Sequence, residues 1–159
     1  MKKMIIIVVA CLVFLAATAN SSLAGENSKT PKPKKAMLTL KAGDTAWIYF
    51  TGYYCPEKNQ SRFANGSYEA DKAINCPNGI TASGKLPKRG FVSVDPSVIP
   101  LGSKIFIHED EEIVTAEDKG GNIKGNRGDR FTGHGQRGLA EAYKVTGWKR
   151  VTVLKTGGS

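Results

Sequence analysis

The chain has 159 residues and a formal net charge of +9 at pH 7, with 23 lysines and arginines against 14 aspartates and glutamates. This length suits one domain, and the positive charge predicts attraction to anionic polymers such as bacterial cell wall, teichoic acid, lipid headgroups or nucleic acid. The sequence has no zinc finger, basic helix or aromatic RNA-binding motif, so it gives no sign of nucleic-acid recognition.

The first 24 residues have the organisation of a secretory signal peptide. Lys2 and Lys3 make the N-terminus positively charged, and residues 4–17 are almost wholly apolar. Residues 17–19 and 22–24 then provide two possible cleavage sites for signal peptidase. The apolar run is shorter than the roughly 20 residues that a membrane-spanning helix needs. We therefore expect cleavage and export to the periplasm, cell wall or medium, without stable membrane insertion. A retained anchor and lipidation at Cys11 are the alternatives.

Two cysteines, Cys55 and Cys76, remain once the signal peptide is removed. An even pair in an exported chain predicts a disulfide, which would stabilise the fold by about 3 kcal/mol. Two free thiols or a metal pair are the alternatives. Only two histidines, His108 and His134, accompany the cysteines, and zinc-ligand spacings are missing. We therefore expect no metal and no other cofactor.

The rest of the chain predicts a polar linker followed by a small β domain. Residues 25–44 are predicted to form a flexible basic linker, and the folded domain is expected over residues 45–156. Short β-rich runs separated by turn residues are typical of an all-β barrel. They lie at 46–54, 79–84, 90–94, 104–108, 112–117 and 150–154.

One segment, residues 136–146, has helical rather than strand spacing. Leu139, Ala142, Tyr143 and Val145 recur at intervals that place them on one face, and Gly147 is a natural stop. We therefore expect one helix, packed on the barrel through Leu139 and Tyr143.

Three aspartates are the candidate site residues. Asp95 precedes a proline, Asp118 precedes Lys119 and two glycines, and Asp129 follows a glycine-rich run. Each setting would place a carboxylate at the end of a strand, facing a cleft. Asp before Pro or Gly is more commonly a turn residue, which is the structural alternative for each of them.

Three segments around these aspartates closely resemble the three-aspartate (3D) domain, which is related to the catalytic barrel of membrane-bound lytic transglycosylase A. They are Gly79–Lys85, Val92–Ile107 and Ala116–Phe131, within a resemblance that extends from about Thr51 to Lys155. This resemblance implies a six-stranded double-psi β-barrel. It also implies a peptidoglycan lytic transglycosylase, which cleaves the β-1,4 bond between N-acetylmuramic acid (MurNAc) and N-acetylglucosamine (GlcNAc) and leaves a 1,6-anhydro-MurNAc end.

The resemblance implies that Asp129 is the general acid and then the general base. One such residue suffices, because the sugar's own 6-hydroxyl is the nucleophile. We expect Asp118 to raise the pKa of Asp129 and to stabilise positive charge on the sugar ring; a turn cap is its alternative role. The expected substrate-binding residues are Asp95, Thr81, Ser83, Gly120, Gly121 and Lys124. The alternative for Asp95 is a structural turn, that for Thr81 and Ser83 is a solvated strand face, and that for Lys124 is a solvated basic loop.

Two positions depart from the family pattern. Gly128 and Arg130 stand where the family usually has apolar residues, and a cation beside Asp129 would favour its ionised form. These departures support a second hypothesis, a non-catalytic, expansin-like module that binds cell-wall polysaccharide. A third is a secreted inhibitor or toxin of the barwin type. For the first two hypotheses the partner is the peptidoglycan glycan strand, and we expect a monomer.

Overall fold

A computed structural model describes residues 38–158. The predicted signal peptide, with Cys11, and residues 25–37 of the predicted linker lie outside the described residues. The elements follow in the order β1 (Thr45–Cys55), α1 (Tyr68–Asn75), β2 (Phe91–Val94), β3 (Lys104–Ile107), β4 (Glu112–Asp118), β5 (Arg127–His134), α2 (Gly135–Lys144) and β6 (Gly147–Lys155). Within residues 38–158, no helix combines the length and apolar character needed to cross a membrane.

The six strands close into a barrel in the order β1-β5-β2-β4-β3-β6. The pairs β1–β5 and β2–β4 are parallel, and the other pairs are antiparallel. The predicted six-stranded β-barrel is confirmed, and its two parallel pairs are consistent with the double-psi topology.

Apolar side chains fill the barrel, because alternate residues of each strand point inward. Ile48 and Phe50 of β1 and Val92 and Val94 of β2 belong to this core and are almost completely buried. The residues between them, including Ser93, point to the opposite face of the strands. Polar side chains on the outer face are therefore available to form a site.

The sequence prediction placed one strand wrongly. Residues 79–84 form bends and turns instead of a strand, and Gly79 and Gly84 have φ angles of 67° and 79°, which strands do not adopt. The strand that replaces it in the barrel is β5, in which charged residues and glycines hide the alternation of inward and outward side chains. The barrel thus has the predicted number of strands, but one of them lies elsewhere.

The helices also differ from the prediction. Helix α2 is the expected one and buries Leu139, but Tyr143 is 70% exposed and is not a core contact. The buried face of α2 is centred on Gly138 and Ala142, so Tyr143 lies outside it. Helix α1 was not predicted; its N-cap Ser67 accepts a hydrogen bond from the Ala70 amide.

Cys55 and Cys76 form a disulfide, as predicted. It ties the last residue of β1 to the C-cap of α1. The segment between the cysteines is further fixed by the fully buried Asp71, which accepts hydrogen bonds from Tyr54 Oη and from the Ala64 and Asn65 amides. This segment is therefore an ordered wall beside the barrel.

Candidate functional site

Four polar residues form one row across the outer face of four neighbouring strands. The register pairs Thr51 of β1 with Asp129 of β5, Asp129 with Ser93 of β2, and Ser93 with Asp118 of β4. Paired residues of adjacent strands project to the same side of a sheet. The barrel therefore brings Asp118 and Asp129, the two predicted catalytic residues, to the same face, with Ser93 between their backbones.

A β-bulge gives Asp118 its place in this row. Val92 pairs with Ala116, but the next residue, Ser93, pairs with Asp118, so Glu117 is the extra residue. In an unbroken register Glu117 would lie opposite Ser93, and Asp118 would fall on the face that packs the barrel interior. The bulge moves Asp118 to the outer face, as bulges beside functional sites commonly do.

The row opens into a cleft of about 450 Å³. Residues 80–82 of the turn at 79–84 and the loop at 118–123 form its walls, together with the end of α1. The predicted residues that line it are Asp118, Asp129, Thr81, Gly120 and Gly121. The structure thus brings five of the predicted site residues together around one cavity large enough for a sugar unit.

Asp129 carries the most perturbed carboxyl group of the cleft. Burial raises its pKa from an ordinary 3.8 to about 6, and the charge of Asp118 contributes in the same direction. A hydrogen bond of 2.8 Å from Thr51 Oγ1 and the charge of Arg127 oppose this increase. A carboxyl group with this pKa exchanges a proton readily near neutral pH, as a general acid and base must.

Arg130 does not act on Asp129 as its position in the sequence suggested. Side chains alternate along a strand, so Arg130 leaves β5 on the opposite face. There its guanidinium pairs with the carboxylates of Asp110 and Glu112. The cation that lowers the pKa of Asp129 is Arg127 instead.

The second departure from the family pattern, Gly128, is explained by packing against Phe50. A Cβ atom at Gly128 would lie only 2.5 Å from Phe50 Cε1. Phe50 is fully buried in the barrel interior and has no room to move aside. The large aromatic ring of Phe50 thus fills the space that an apolar side chain at 128 would take.

Asp118 also holds one wall of the cleft. Its Oδ1 accepts hydrogen bonds from the Ala82 amide at 2.8 Å and from the Lys119 amide at 2.9 Å. The first of these bonds fastens the turn at 79–84 to the end of β4. Asp118 therefore combines a structural contact with a position beside Asp129.

Three predicted substrate-binding residues lie outside the lining of the cleft: Asp95, Ser83 and Lys124. Asp95 Oδ1 accepts from the Ser97 hydroxyl, and its Oδ2 accepts from the Gly125 amide at 2.7 Å. These bonds, that of Ser97 first, lower the pKa of Asp95. Asp95 therefore shapes its own turn and fixes the loop that leads into β5.

Ser83 and Lys124 have different surroundings. Ser83 donates a hydrogen bond of 2.6 Å to Glu117 Oε2, and Lys85 forms an ion pair with the other oxygen of that carboxylate. Glu117, the bulge residue, thus secures the same turn from its other side. Lys124 is exposed, and its charge contributes to the lowered pKa of Asp95.

Three hydroxyl groups of the site were not predicted from the sequence: those of Thr51, Ser93 and Tyr53. Tyr53 lies on β1, two residues after Thr51. Its ring packs edge-on against Phe131, with centroids 5.3 Å apart, while the residue lines the cleft. The available signal was the alternation of β1, in which Thr51 and Tyr53 lie opposite in phase to the buried Phe50.

A second cavity of about 510 Å³ lies beside the disulfide. It shares Cys76, Pro77, Asn78 and Pro87 with the lining of the first. Among residues 38–158, no group of three or more His, Cys, Asp or Glu side chains is arranged to hold a metal ion.

Part of the chain is similar to a curated protein whose name describes cell-wall binding. The "Cell wall-binding protein YocH" of Bacillus subtilis (strain 168) is 48% identical over 58 residues, which cover 34% of this chain and 20% of that protein. The chain therefore matches only a fifth of the length of this curated relative.

Two solved structures are similar to about half of this chain, at a lower sequence identity. The lytic transglycosylase MltA from Escherichia coli is 29% identical over 50% of this chain and 28% of its own, with a TM-score of 0.42. The lytic transglycosylase LtgG of Burkholderia pseudomallei is 28% identical over 46% of this chain and 25% of its own, with a TM-score of 0.37.

The family model of the 3D domain matches residues 91–155, a range that runs from β2 to β6. It includes all three aspartates, whereas β1, α1 and the disulfide precede it. Residues 91–155 of this chain therefore match the 3D domain, as the sequence motifs predicted.

Proposed function

We propose that this protein is an exported peptidoglycan lytic transglycosylase that cleaves the MurNAc-GlcNAc β-1,4 bond and leaves a 1,6-anhydro-MurNAc end. The observation that carries the proposal is the part-buried Asp129, whose pKa of about 6 suits proton transfer, in a cleft shared with Asp118. The match to the 3D domain and the similarity to a cell wall-binding protein support the same substrate class.

Asp129 would perform both proton transfers. In its neutral form it donates a proton to the glycosidic oxygen as the bond from that oxygen to the MurNAc C1 breaks. The resulting carboxylate then takes the proton of the MurNAc 6-hydroxyl as that oxygen bonds to C1. Asp129 ends in its starting state, and no water is consumed.

Asp118 supports this cycle electrostatically. Its charge raises the pKa of Asp129 and so increases the fraction of the acid form. A carboxylate in this position also stabilises the positive charge that develops on the sugar ring when the glycosidic bond breaks. Hydrogen bonds from Ala82 and Lys119 hold Asp118 in place for this role.

The walls of the cleft suit a carbohydrate. Thr81 offers a hydroxyl group, while Gly120 and Gly121 let the backbone approach a sugar closely. Asp95 and Ser83 would contribute indirectly, because they fix the segments that carry these groups. Lys124 would contribute through its charge, which acts on Asp95. The excess of positive charge would attract the protein to anionic wall polymers.

A non-catalytic, polysaccharide-binding role is the second candidate function. It is favoured by one observation, the 48% identity over 58 residues to a protein whose name describes cell-wall binding. The two candidates use the same cleft and differ in whether a glycosidic bond is broken.

Mass spectrometry of purified sacculi incubated with the protein separates the two. We expect soluble muropeptides with 1,6-anhydro ends, and their loss in Asp129→Asn. Glu141→Gln, a matched carboxylate-to-amide change at a residue paired with Lys144 on α2, is the control and should keep activity. Reducing ends would indicate a hydrolase. Sedimentation with sacculi without released products would favour the binding role, and full activity of Asp129→Asn would exclude Asp129 as the acid.

A further inference from the structure

Tyr53 combines tight packing of its ring with a hydroxyl group that has no partner. The residue is only 5% exposed, and its ring contacts Phe131 in a small apolar cluster that includes Cys55. Its Oη makes no hydrogen bond to any other described residue. The large majority of buried side-chain polar atoms in folded proteins are hydrogen-bonded, so an unpaired one calls for an explanation.

The location of this hydroxyl group supplies one. Tyr53 lies two residues after Thr51 on β1, on the same face, and lines the cleft together with Ser93, Asp118 and Asp129. Ser93 and Asp118 are near enough to affect the pKa of the phenol, although neither forms a hydrogen bond of acceptable geometry with it. The unpaired group thus lies beside the two carboxyl groups of the site.

The phenol is suited to act as a donor. Burial, and secondarily the charges of Asp118 and Asp129, raise the pKa of Tyr53 well above its usual value of 10. Tyr53 therefore keeps its proton at every pH at which Asp129 works. Because the ring is held by Phe131, donating this proton to a ligand orders no additional side chain.

We propose that Tyr53 Oη donates a hydrogen bond to an oxygen atom of the N-acetylated sugar bound in the cleft. This inference rests on the proposed function and adds a substrate-binding residue outside the segment that matches the 3D domain. The acceptor would be a hydroxyl, ring or acetamide oxygen of the sugar. The bond would satisfy a donor that the folded protein leaves unpaired, so it contributes to binding without weakening an existing contact.

Tyr53→Phe tests the proposal because it removes only the hydroxyl group. We expect unchanged or slightly higher stability in urea unfolding, because no hydrogen bond within the protein is lost. Affinity for a soluble GlcNAc oligosaccharide, measured by calorimetry, should fall about 3- to 30-fold. If sacculi are cleaved, KM should rise by a similar factor while kcat changes less.

Tyr54→Phe is the matched control at the neighbouring position. Tyr54 Oη donates to the buried Asp71 and accepts from Gln60, and Tyr54 does not line the cleft. We expect this variant to lose stability and to keep its affinity for the oligosaccharide, the opposite of Tyr53→Phe.

The outcomes separate this proposal from the proposed function. Wild-type protein that binds the oligosaccharide but releases no products contradicts the transglycosylase, and weaker binding by Tyr53→Phe would still support the hydrogen bond. Cleavage and binding that are unchanged in Tyr53→Phe overturn the Tyr53 proposal alone. Loss of stability with unchanged affinity assigns the hydroxyl group a structural role and also overturns it. A wild-type protein that binds neither the oligosaccharide nor sacculi overturns both.

Discussion

Replacing Asp129 by asparagine is expected to stabilise the folded protein at neutral pH. Burial raises the pKa of this carboxyl group from 3.8 to about 6, and each unit of difference corresponds to about 1.4 kcal/mol. The ionised group therefore destabilises the fold by up to about 3 kcal/mol. Because Asp129 is partly exposed and accepts a hydrogen bond from Thr51, we expect a gain of about 1–3 kcal/mol in Asp129→Asn.

The stability difference between wild type and Asp129→Asn should depend on pH, because the pKa of Asp129 is raised by folding. Well below pH 3.8 the carboxyl group is protonated in both the folded and the unfolded chain, so it costs nothing. As the pH rises from 3.8 to about 6 the unfolded chain loses the proton first, and wild-type stability falls relative to the variant. Above that range the difference is constant. Urea unfolding between about pH 3.5 and pH 8 measures it, and a difference that does not vary with pH would refute the reasoning.

Asp95→Asn is the control with the opposite sign. Hydrogen bonds from Ser97 and Gly125 lower the pKa of Asp95, so its ionised form stabilises the fold. That contribution is present above the unfolded pKa and is lost as the pH falls through the folded one. We therefore expect Asp95→Asn to be less stable than wild type at pH 7, with the difference narrowing on acidification.

Three further predictions concern residues around the site. Gly128→Val should destabilise the fold by about 1–3 kcal/mol through its clash with Phe50, and Phe50→Val should restore part of this loss in a double-mutant cycle of urea unfolding; strictly additive effects would contradict the contact. Arg127→Gln should raise the pKa of Asp129, as measured by carboxyl NMR titration, whereas Arg130→Gln should not. Equal shifts in the two variants would contradict the assignment of Arg127 as the cation that acts on Asp129. Replacing Cys55 and Cys76 by serine should lower the free energy of unfolding by about 3 kcal/mol without reductant, and an unchanged value would show that the disulfide does not restrain the unfolded chain.

Most strands could be predicted because their core residues alternate. Strands β1, β2, β3, β4 and β6 each contribute apolar residues two positions apart to the core. Strand β5 escaped detection because Gly128 replaces an inward-facing apolar side chain and Arg127, Asp129 and Arg130 surround it. Its strand conformation depends on hydrogen bonding to β1 and β2, which local sequence does not reveal.

The turn at 79–84 was predicted as a strand, and helix α1 was not predicted. Ile80 and Thr81 favour a strand locally, but Ile80 is 55% exposed, and the positive φ angles of the flanking glycines turn the chain. Helix α1 has a polar sequence that lacks a broad apolar face. Its signals were the Ser67 cap and the acidic residues Glu69 and Asp71 in the first turn.

The candidate site was only partly accessible from the sequence. The glycine-rich settings of Asp118 and Asp129 indicated both residues, because these motifs are local. The partners of these residues were not accessible, because Thr51 meets Asp129 from 78 positions away. The direction of Arg130 was also hidden, since it depends on strand alternation and on carboxylates of a neighbouring hairpin.

The bulge at Glu117 has a consequence for how this protein tolerates change. Two adjacent acids, Glu117 and Asp118, have different duties only because one extra residue separates their registers. Straightening β4 while keeping both acids would alter no side chain of the cleft chemically, yet it would pair Glu117 with Ser93 and direct Asp118 toward the apolar interior. The acidity of the cleft is thus encoded by strand register as much as by residue identity. Changes that straighten β4 while keeping both acids are therefore expected to be more damaging to the cleft than most substitutions in this strand.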